Sequence, residues 1–380
     1  MQVTDLRTPA VLVDVGRVRA NIARMQALAN ANGRHLRPHA KTHKSPLVAG
    51  WQREAGAVGI CCAKLGEAEV FAAAGFDDIR LPYPVNPSNA DRVVALLDRG
   101  VRLSIIVDLT EVAQEWSRAM RAAERRLDVL VKVDVGFHRC GVDPNRPDVP
   151  AFVADVASLS GLKLRGLLSH AGHAYLAGSD DELRSIALEE MRLLHQVADG
   201  ARALGVVIDS LSVGATPTAR FSAVLPGVTE LRPGNYVYFD RTQVALGAAT
   251  LDDCALTVLS TVVTRHKDRI ILDAGSKTLS SDPFRGATSP DRGAGPPGYG
   301  AIFADTESPT VLDDRFTIER LSEEHATVRV TGSTPLQPGN RVRILPNHAC
   351  VVSNLVDEIA LVEAGQVVDR LPVVARGRIT

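Results

Sequence analysis

The chain has 380 residues, more than one domain usually holds, so two domains, or a barrel with an appended module, are expected. Hydrophobic residues at 45% and charged residues at 23% fit a soluble globular protein and exclude a disordered or fibrous class. With 43 basic and 44 acidic residues spread along the chain, no basic stripe or arm forms, which argues against nucleic acid as a partner.

The opening residues MQVTDLRTPA lack a basic start, a signal-length apolar stretch and a cleavage pattern, and no apolar run reaches membrane-spanning length. Cys61, Cys62, Cys140, Cys254 and Cys350 are an odd number in a long chain, so free thiols and a cytoplasmic location are expected. From residue 10 to about 232, short β-branched runs alternate with amphipathic stretches, the pattern of repeated βα units around a parallel sheet. The expected strands are AVLV (10–13), HLRPH (35–39), AVGIC (57–61), DIRLP (78–82), RLSIIV (102–107), VLVKVD (129–134), LRGLLS (164–169), DSLSVG (209–214) and TELR (229–232). After the first of these, Val15, Val18, Ile22, Met25 and Leu28 recur at helical spacing, with Gly33 as a stop signal. Ser45-Pro46 supplies an N-cap and first-turn pair.

Without the first strand, eight remain between 35 and 232, the number that closes a (β/α)8 barrel. After about residue 245, ALTVLSTVVT, RIILDA, ATVRVT, RVRILP, EIALVEAG and VVDRLPVVA read as strands with tight turns, hence an all-β domain. The expected division is a barrel over 9–245 and a β domain over 246–380, joined by the N-terminal strand, about 1–14. The segment 282–300, rich in Gly and Pro, is expected to be a functional loop, ordered or mobile, rather than an element.

Working residues of such barrels sit just past the C-terminal ends of the strands, and chemistry-bearing residues gather there in this chain. Lys41 lies among His39, His43 and Lys44. It is either one of several solvated loop cations or a desolvated amine fit for Schiff-base formation. Arg139, in a glycine-flanked loop, either serves an acceptor in the barrel mouth or pairs with Asp134 or Asp143. His170, His173 and Tyr175 follow the strand ending at 169. Gly214, Ala215 and Thr216 form a structural turn or a phosphate cradle of backbone N–H groups and a hydroxyl. In the second domain His348 and Cys350, two apart on what reads as an extended chain, would share a face. Imidazole plus thiolate suits zinc at an open site, while a buried Cys beside a structural His is the plainer alternative. Cys61 and Cys62 read as core packing.

Taken together, TPAVLVD, RPHAKTHKS, GICCAK, VDVGFHRCGV, SVGATPT, ELRPGNYVYFD, LDAGSKT, SEEHATV and PNHAC, in this order, run nearly end to end. The chain thereby resembles the D-serine dehydratase and D-threonine aldolase family, metal-dependent fold-type III pyridoxal-phosphate (PLP) enzymes related to alanine racemase. The resemblance implies that Lys41 carries PLP as a Schiff base and acts as general base, and that Arg139 faces the pyridine nitrogen. His170 joins the cofactor contacts, and Gly214, Ala215, Thr216 and Tyr236 hold the phosphate. His348 and Cys350 bind a divalent metal beside the substrate hydroxyl, with zinc first and manganese or magnesium as alternatives. An arginine at the ring nitrogen leaves it unprotonated and the electron sink weak, so a metal gripping the substrate supplies the missing activation.

In the aldolase branch the metal motif is His-x-Asp and a histidine stands at Tyr175. Both positions resemble the dehydratase branch here, with Tyr175 positioning cofactor or substrate. The implied reaction converts a D-3-hydroxy amino acid of the D-serine or D-threonine type to a 2-oxo acid and ammonia. Retro-aldol cleavage to glycine and an aldehyde is the alternative. A non-catalytic PLP carrier would resemble the barrel alone, and a racemase would need a second base that the sequence does not identify. The resemblance also implies a homodimer, with one chain's β domain near the other's barrel mouth.

Overall fold

The computed structural model of the chain describes residues 1–285 and 292–380. Eight parallel strands make the first sheet: His35–Leu36, Ile60–Cys61, Asp78–Pro84, Arg102–Val107, Leu127–Lys132, Leu162–Leu168, Ser210–Val213 and Glu230–Leu231. The last returns to the first, with Leu36 opposite Leu231, and a bridge between His39 and Cys61 ties the first to the second. The sheet therefore curls round as the strand count predicts. Helices cover its outside, which is why Leu103 to Val107 and Val129 to Val131 read as near-continuous apolar runs.

Several strands are shorter than their apolar runs. HLRPH pairs regularly only over His35–Leu36, because Pro38 has no N–H for the ladder. AVGIC pairs only at Ile60–Cys61, and TELR only at Glu230–Leu231. The helix Val15–Ala31 buries Val18, Ile22 and Met25 as their spacing requires. Asp14 caps it by accepting from the Arg17 N–H at 2.9 Å, and the chain leaves it through Gly33 at φ +64. Ser45 and Pro46 open the helix Pro46–Glu54, but the serine side chain does not cap it; the Ser45 N–H donates to His43 Nδ1 at 3.1 Å.

The barrel interior carries charge. Glu230 accepts from Arg37 Nε at 2.8 Å and Ser212 Oγ at 2.6 Å, and pairs with Arg80 through its other contacts. Burial opposes ionisation of Glu230, but Arg80, Arg37 and the Ser212 hydroxyl outweigh it and pull the carboxyl down to about 2.

The strand Ala10–Asp14 belongs to the second sheet. It runs antiparallel to Leu256–Arg265, with Val11 opposite Val258, and parallel to Glu358–Glu363, with Leu12 opposite Ala360. Arg341–Leu345 extends this sheet, and Arg269–Leu272 and Ala326–Val330 continue it on the other side. Two of its strands were not expected from the sequence: Phe316–Leu321, paired with Ala326–Val330, and Ala301–Ile302, paired with Arg341–Leu345. All five cysteines are free thiols, and Cys61 and Cys62 are fully buried in the barrel wall. Among the described residues no helix is long and apolar enough to cross a membrane.

Candidate active site

The turn Ala40–Thr42 carries Lys41 off the end of the first barrel strand, with His39 at its N-cap position. The lysine points into a cavity of about 300 Å³ at the barrel mouth. Burial lowers its pKa from the ordinary lysine value; Arg139 and Arg232 push the same way, while Cys350 and Glu67 oppose. Such surroundings fit a desolvated amine better than a solvated loop cation. His39 is held well below the usual histidine range by burial and by Lys41 and Arg232, so it adds no positive charge.

Arg139 lines the same cavity. Its loop is wound on Asp134, whose Oδ1 accepts from the N–H groups of Gly136 and His138 at 3.0 Å each, with Gly136 at φ +115 and His138 at φ +53. Asp134 is thereby used up, and Asp143 accepts from Asn145. Arg139 forms an ion pair with neither; its guanidinium lies over the Phe137 ring, 5.0 Å from the centroid. Gly172 lets that ring in, since a Cβ there would sit 2.7 Å from it.

His170 and Tyr175 also line the cavity. His170 Nδ1–H donates to the Gly214 carbonyl, and its ring meets Phe137 edge to face at 5.8 Å. Burial, with Lys41 and Lys132 adding, keeps this imidazole neutral. Burial also raises the Tyr175 phenol, and the charges of Cys350 and Asp240 raise it further, so it stays a hydroxyl donor. Lys132, buried and not part of the cavity lining, is pushed down to about 7 by burial and by Arg232.

Ala215 and Thr216 reach the cavity, while Gly214 stands just behind it, where a Cβ would meet Arg232 at 3.1 Å. The Thr216 hydroxyl is buried and has no hydrogen-bond partner among the described residues. An orphaned donor beside small-residue backbone fits a phosphate. Tyr236, which the resemblance implies for the phosphate, is fully buried and does not line the cavity, and its hydroxyl accepts from Gln52 Nε2 at 3.0 Å. Its place in the ELRPGNYVYFD string says nothing of which way the ring turns.

His348 and Cys350 both enter the cavity, although not on an extended chain as the spacing suggests. His348 precedes the helix Ala349–Asn354 and Cys350 lies in its first turn. The helix breaks the alternation, and the two side chains still converge. Thr42 Oγ1 lies 3.2 Å from Cys350 Sγ, so Lys41's turn touches the second domain's thiol directly. Burial disfavours the thiolate, but His348, helped by Lys41, outweighs it and holds Cys350 below the usual thiol range. Burial likewise opposes charge on His348, yet Cys350, Asp240 and Asp282 push it up to about 10. A cysteine sulfur whose thiolate is favoured, beside an imidazole, is a donor set for zinc-like ions. Among the described residues no group of three or more His, Cys, Asp or Glu could hold a metal, so an ion here would keep open positions.

Sequence reasoning missed Asp240 and Asp282. Asp240 closes the ELRPGNYVYFD string and is fully buried; Oδ2 accepts from the Ala349 N–H at 2.9 Å and so steadies the His348–Cys350 turn. A carboxylate ending so dense a motif was the available signal. Asp282 opens the Gly- and Pro-rich loop, and its Oδ2 lies 2.6 Å from His348 Nδ1. No spacing in the sequence marks it. Residues 286–291 of that loop lie outside the described residues.

The family described as "Alanine racemase, N-terminal domain" matches residues 13–242, and the one described as "Putative serine dehydratase domain" matches 255–362. The chain is similar to D-threo-3-hydroxyaspartate dehydratase of Delftia sp. (strain HT23), with 37% identity over 356 residues, 91% of each chain. It is similar to D-threonine aldolase of Arthrobacter sp., with 33% identity covering 97% of this chain and 93% of that one. A solved metal-free form of a cysteine-to-alanine mutant of the Delftia enzyme matches with a TM-score of 0.88 and 33% identity over 98% of each chain. The barrel, its β-strand domain and these likenesses agree, and the chain belongs to the alanine racemase-like, fold-type III PLP family, in the branch of D-serine dehydratases and D-threonine aldolases.

Proposed function

We propose that the protein is a PLP- and divalent-metal-dependent lyase that takes a D-3-hydroxy amino acid to a 2-oxo acid and ammonia. The observation that carries this reading is the meeting of Lys41 with the His348–Cys350 pair in one cavity. When bound, PLP supplies an electron sink at the substrate's Cα, and the divalent ion supplies a Lewis acid for the β-hydroxyl. Lys41, its amine favoured by burial, holds the cofactor and takes the Cα proton. Thr216 and the backbone at Ala215 hold the phosphate, with Gly214 behind them; Arg139 faces the ring edge and His170 braces it. His348 and Cys350 hold the ion, and zinc suits the thiolate best. Tyr175, kept as a phenol, donates a hydrogen bond toward cofactor or substrate. The metal-free cysteine mutant of the Delftia relative supports a thiolate as metal ligand.

Arg285 at the cavity edge suits a second carboxylate, so 3-hydroxy-D-aspartate belongs beside D-serine and D-threonine in the test. Each is incubated with PLP, with and without zinc or manganese, and ammonia, 2-oxo acid and glycine are assayed. Metal-stimulated ammonia and 2-oxo acid in equal amounts are expected, and Lys41→Ala removes both the yellow Schiff-base absorbance and the turnover. Glycine plus an aldehyde without ammonia would mean retro-aldol cleavage and overturn the dehydratase reading.

A further inference from the structure

The loop that opens at Asp282 is fastened from below. Arg241, fully buried, donates to the carbonyls of Ala294 at 2.6 Å and Gly300 at 3.2 Å, and to Asn347 Oδ1 at 3.3 Å. Asn347 passes the constraint on, since its Nδ2 donates to the carbonyls of Asp282 at 3.1 Å and Gly298 at 2.8 Å. The Asp282 N–H in turn donates to Ser280 Oγ at 3.1 Å. Held at its backbone on both sides, Asp282 presents Oδ2 to His348 Nδ1 at 2.6 Å. Among the described residues it makes no ion pair with a lysine or arginine.

An imidazole nitrogen this close to a carboxylate oxygen carries the proton, because two lone pairs facing each other repel. Nδ1–H therefore donates to Asp282, so Nε2 is the nitrogen that offers a lone pair once its proton gives way to a cation. A carboxylate behind a ligating imidazole fixes its tautomer and ring angle and strengthens its donor nitrogen. We infer that Asp282 is a positioning residue that sets His348 for a divalent cation shared with Cys350. This rests on the metal reading above, and it assigns the start of the Gly- and Pro-rich loop a task in the site. The cation is gripped from the second domain's helix turn, and its imidazole ligand is aimed by a separate segment locked through Arg241 and Asn347.

The test reads the ion and not turnover. PLP-loaded protein stripped of divalent ions is titrated with Co2+ alone, and the thiolate-to-cobalt absorption band reports occupancy at Cys350. Asp282→Ala is expected to weaken Co2+ binding by about 10- to 100-fold, with the PLP absorbance and far-UV dichroism unchanged. Asp282→Asn, whose amide oxygen still accepts from Nδ1–H, is expected to lose clearly less. Unchanged affinity in Asp282→Ala overturns the inference. So does an Asn variant as weak as the Ala variant, since the carboxylate would then be a ligand itself. If Asp282→Ala does not fold, Asp282→Ser takes its place with the same expected loss. A wild type that develops no thiolate band overturns the metal reading and the inference with it, whereas a normal wild-type band with unaltered variants overturns the inference alone.

Discussion

Lys41 and Cys350 come to one cavity from distant parts of the chain, and Thr42 is where they touch. Each is displaced by a different neighbour: burial, with Arg139 and Arg232, holds Lys41 below the usual lysine range against the pull of Cys350, whereas His348, helped by Lys41, holds Cys350 below the usual thiol range. Tyr236 is a different case, a residue implied for the phosphate whose hydroxyl is engaged by Gln52 and does not line the cavity. Tyr236→Phe is expected to leave PLP affinity and turnover within about twofold and to cost about 1 kcal/mol of stability, the hydrogen bond from Gln52. Titration with PLP and urea unfolding check both halves, and a large loss of PLP affinity would return Tyr236 to the phosphate. At this scale the sequence was legible where chemistry crowds a strand end, as in the strings around Lys41, Arg139 and His348. It was silent where a role depends on direction, as with Tyr236, or on a partner far along the chain, as with Asp240 and Asp282.

Elements were legible where their period was long. The helix Val15–Ala31 shows several turns of its apolar stripe, and the barrel strands are bounded by clear turn signals. The helix Ala349–Asn354 is too short to display a period, so its residues read as an extension of the strand before it. Phe316–Leu321 was missed because its burial does not alternate: Phe316, Thr317 and Ile318 are all buried, and a register shift between Ile318 and Arg320 turns the rest outward. At this scale the Arg241 tie is the feature to break. Burial lowers its pKa to about 10, yet its donors satisfy the carbonyls of Ala294 and Gly300. Arg241→Met is expected to lower unfolding free energy by about 3 kcal/mol. Amides around 294–300 should exchange faster in that variant, and full retention of their protection would show that the loop holds itself.

The whole molecule is legible as a barrel followed by strands, but the charged barrel interior is not, since Arg37, Arg80 and Glu230 look like surface residues in the sequence. Glu230→Gln leaves buried Arg80 without its carboxylate and Arg37 with Asp78 alone, and is expected to cost about 3 kcal/mol near neutral pH. The pH dependence has a definite sign. The folded carboxyl titrates at about 2 and the free one at 4.5, so its contribution is complete above 4.5 and fades as pH falls toward 2. Urea unfolding of both proteins across that window should show their difference shrinking with acid; a constant difference would mean that the arginines are balanced elsewhere.

The placement of Ala10–Asp14 bears on how the protein is made. Val11, Leu12 and Val13 are almost wholly enclosed by strands around residues 258 and 360. At about 5–20 residues per second, a ribosome delivers the second of those neighbours tens of seconds after the apolar triplet emerges. Throughout that interval the triplet is a sticky, unmatched edge on a nascent polypeptide, the natural target for a chaperone, and a truncated product would carry it permanently.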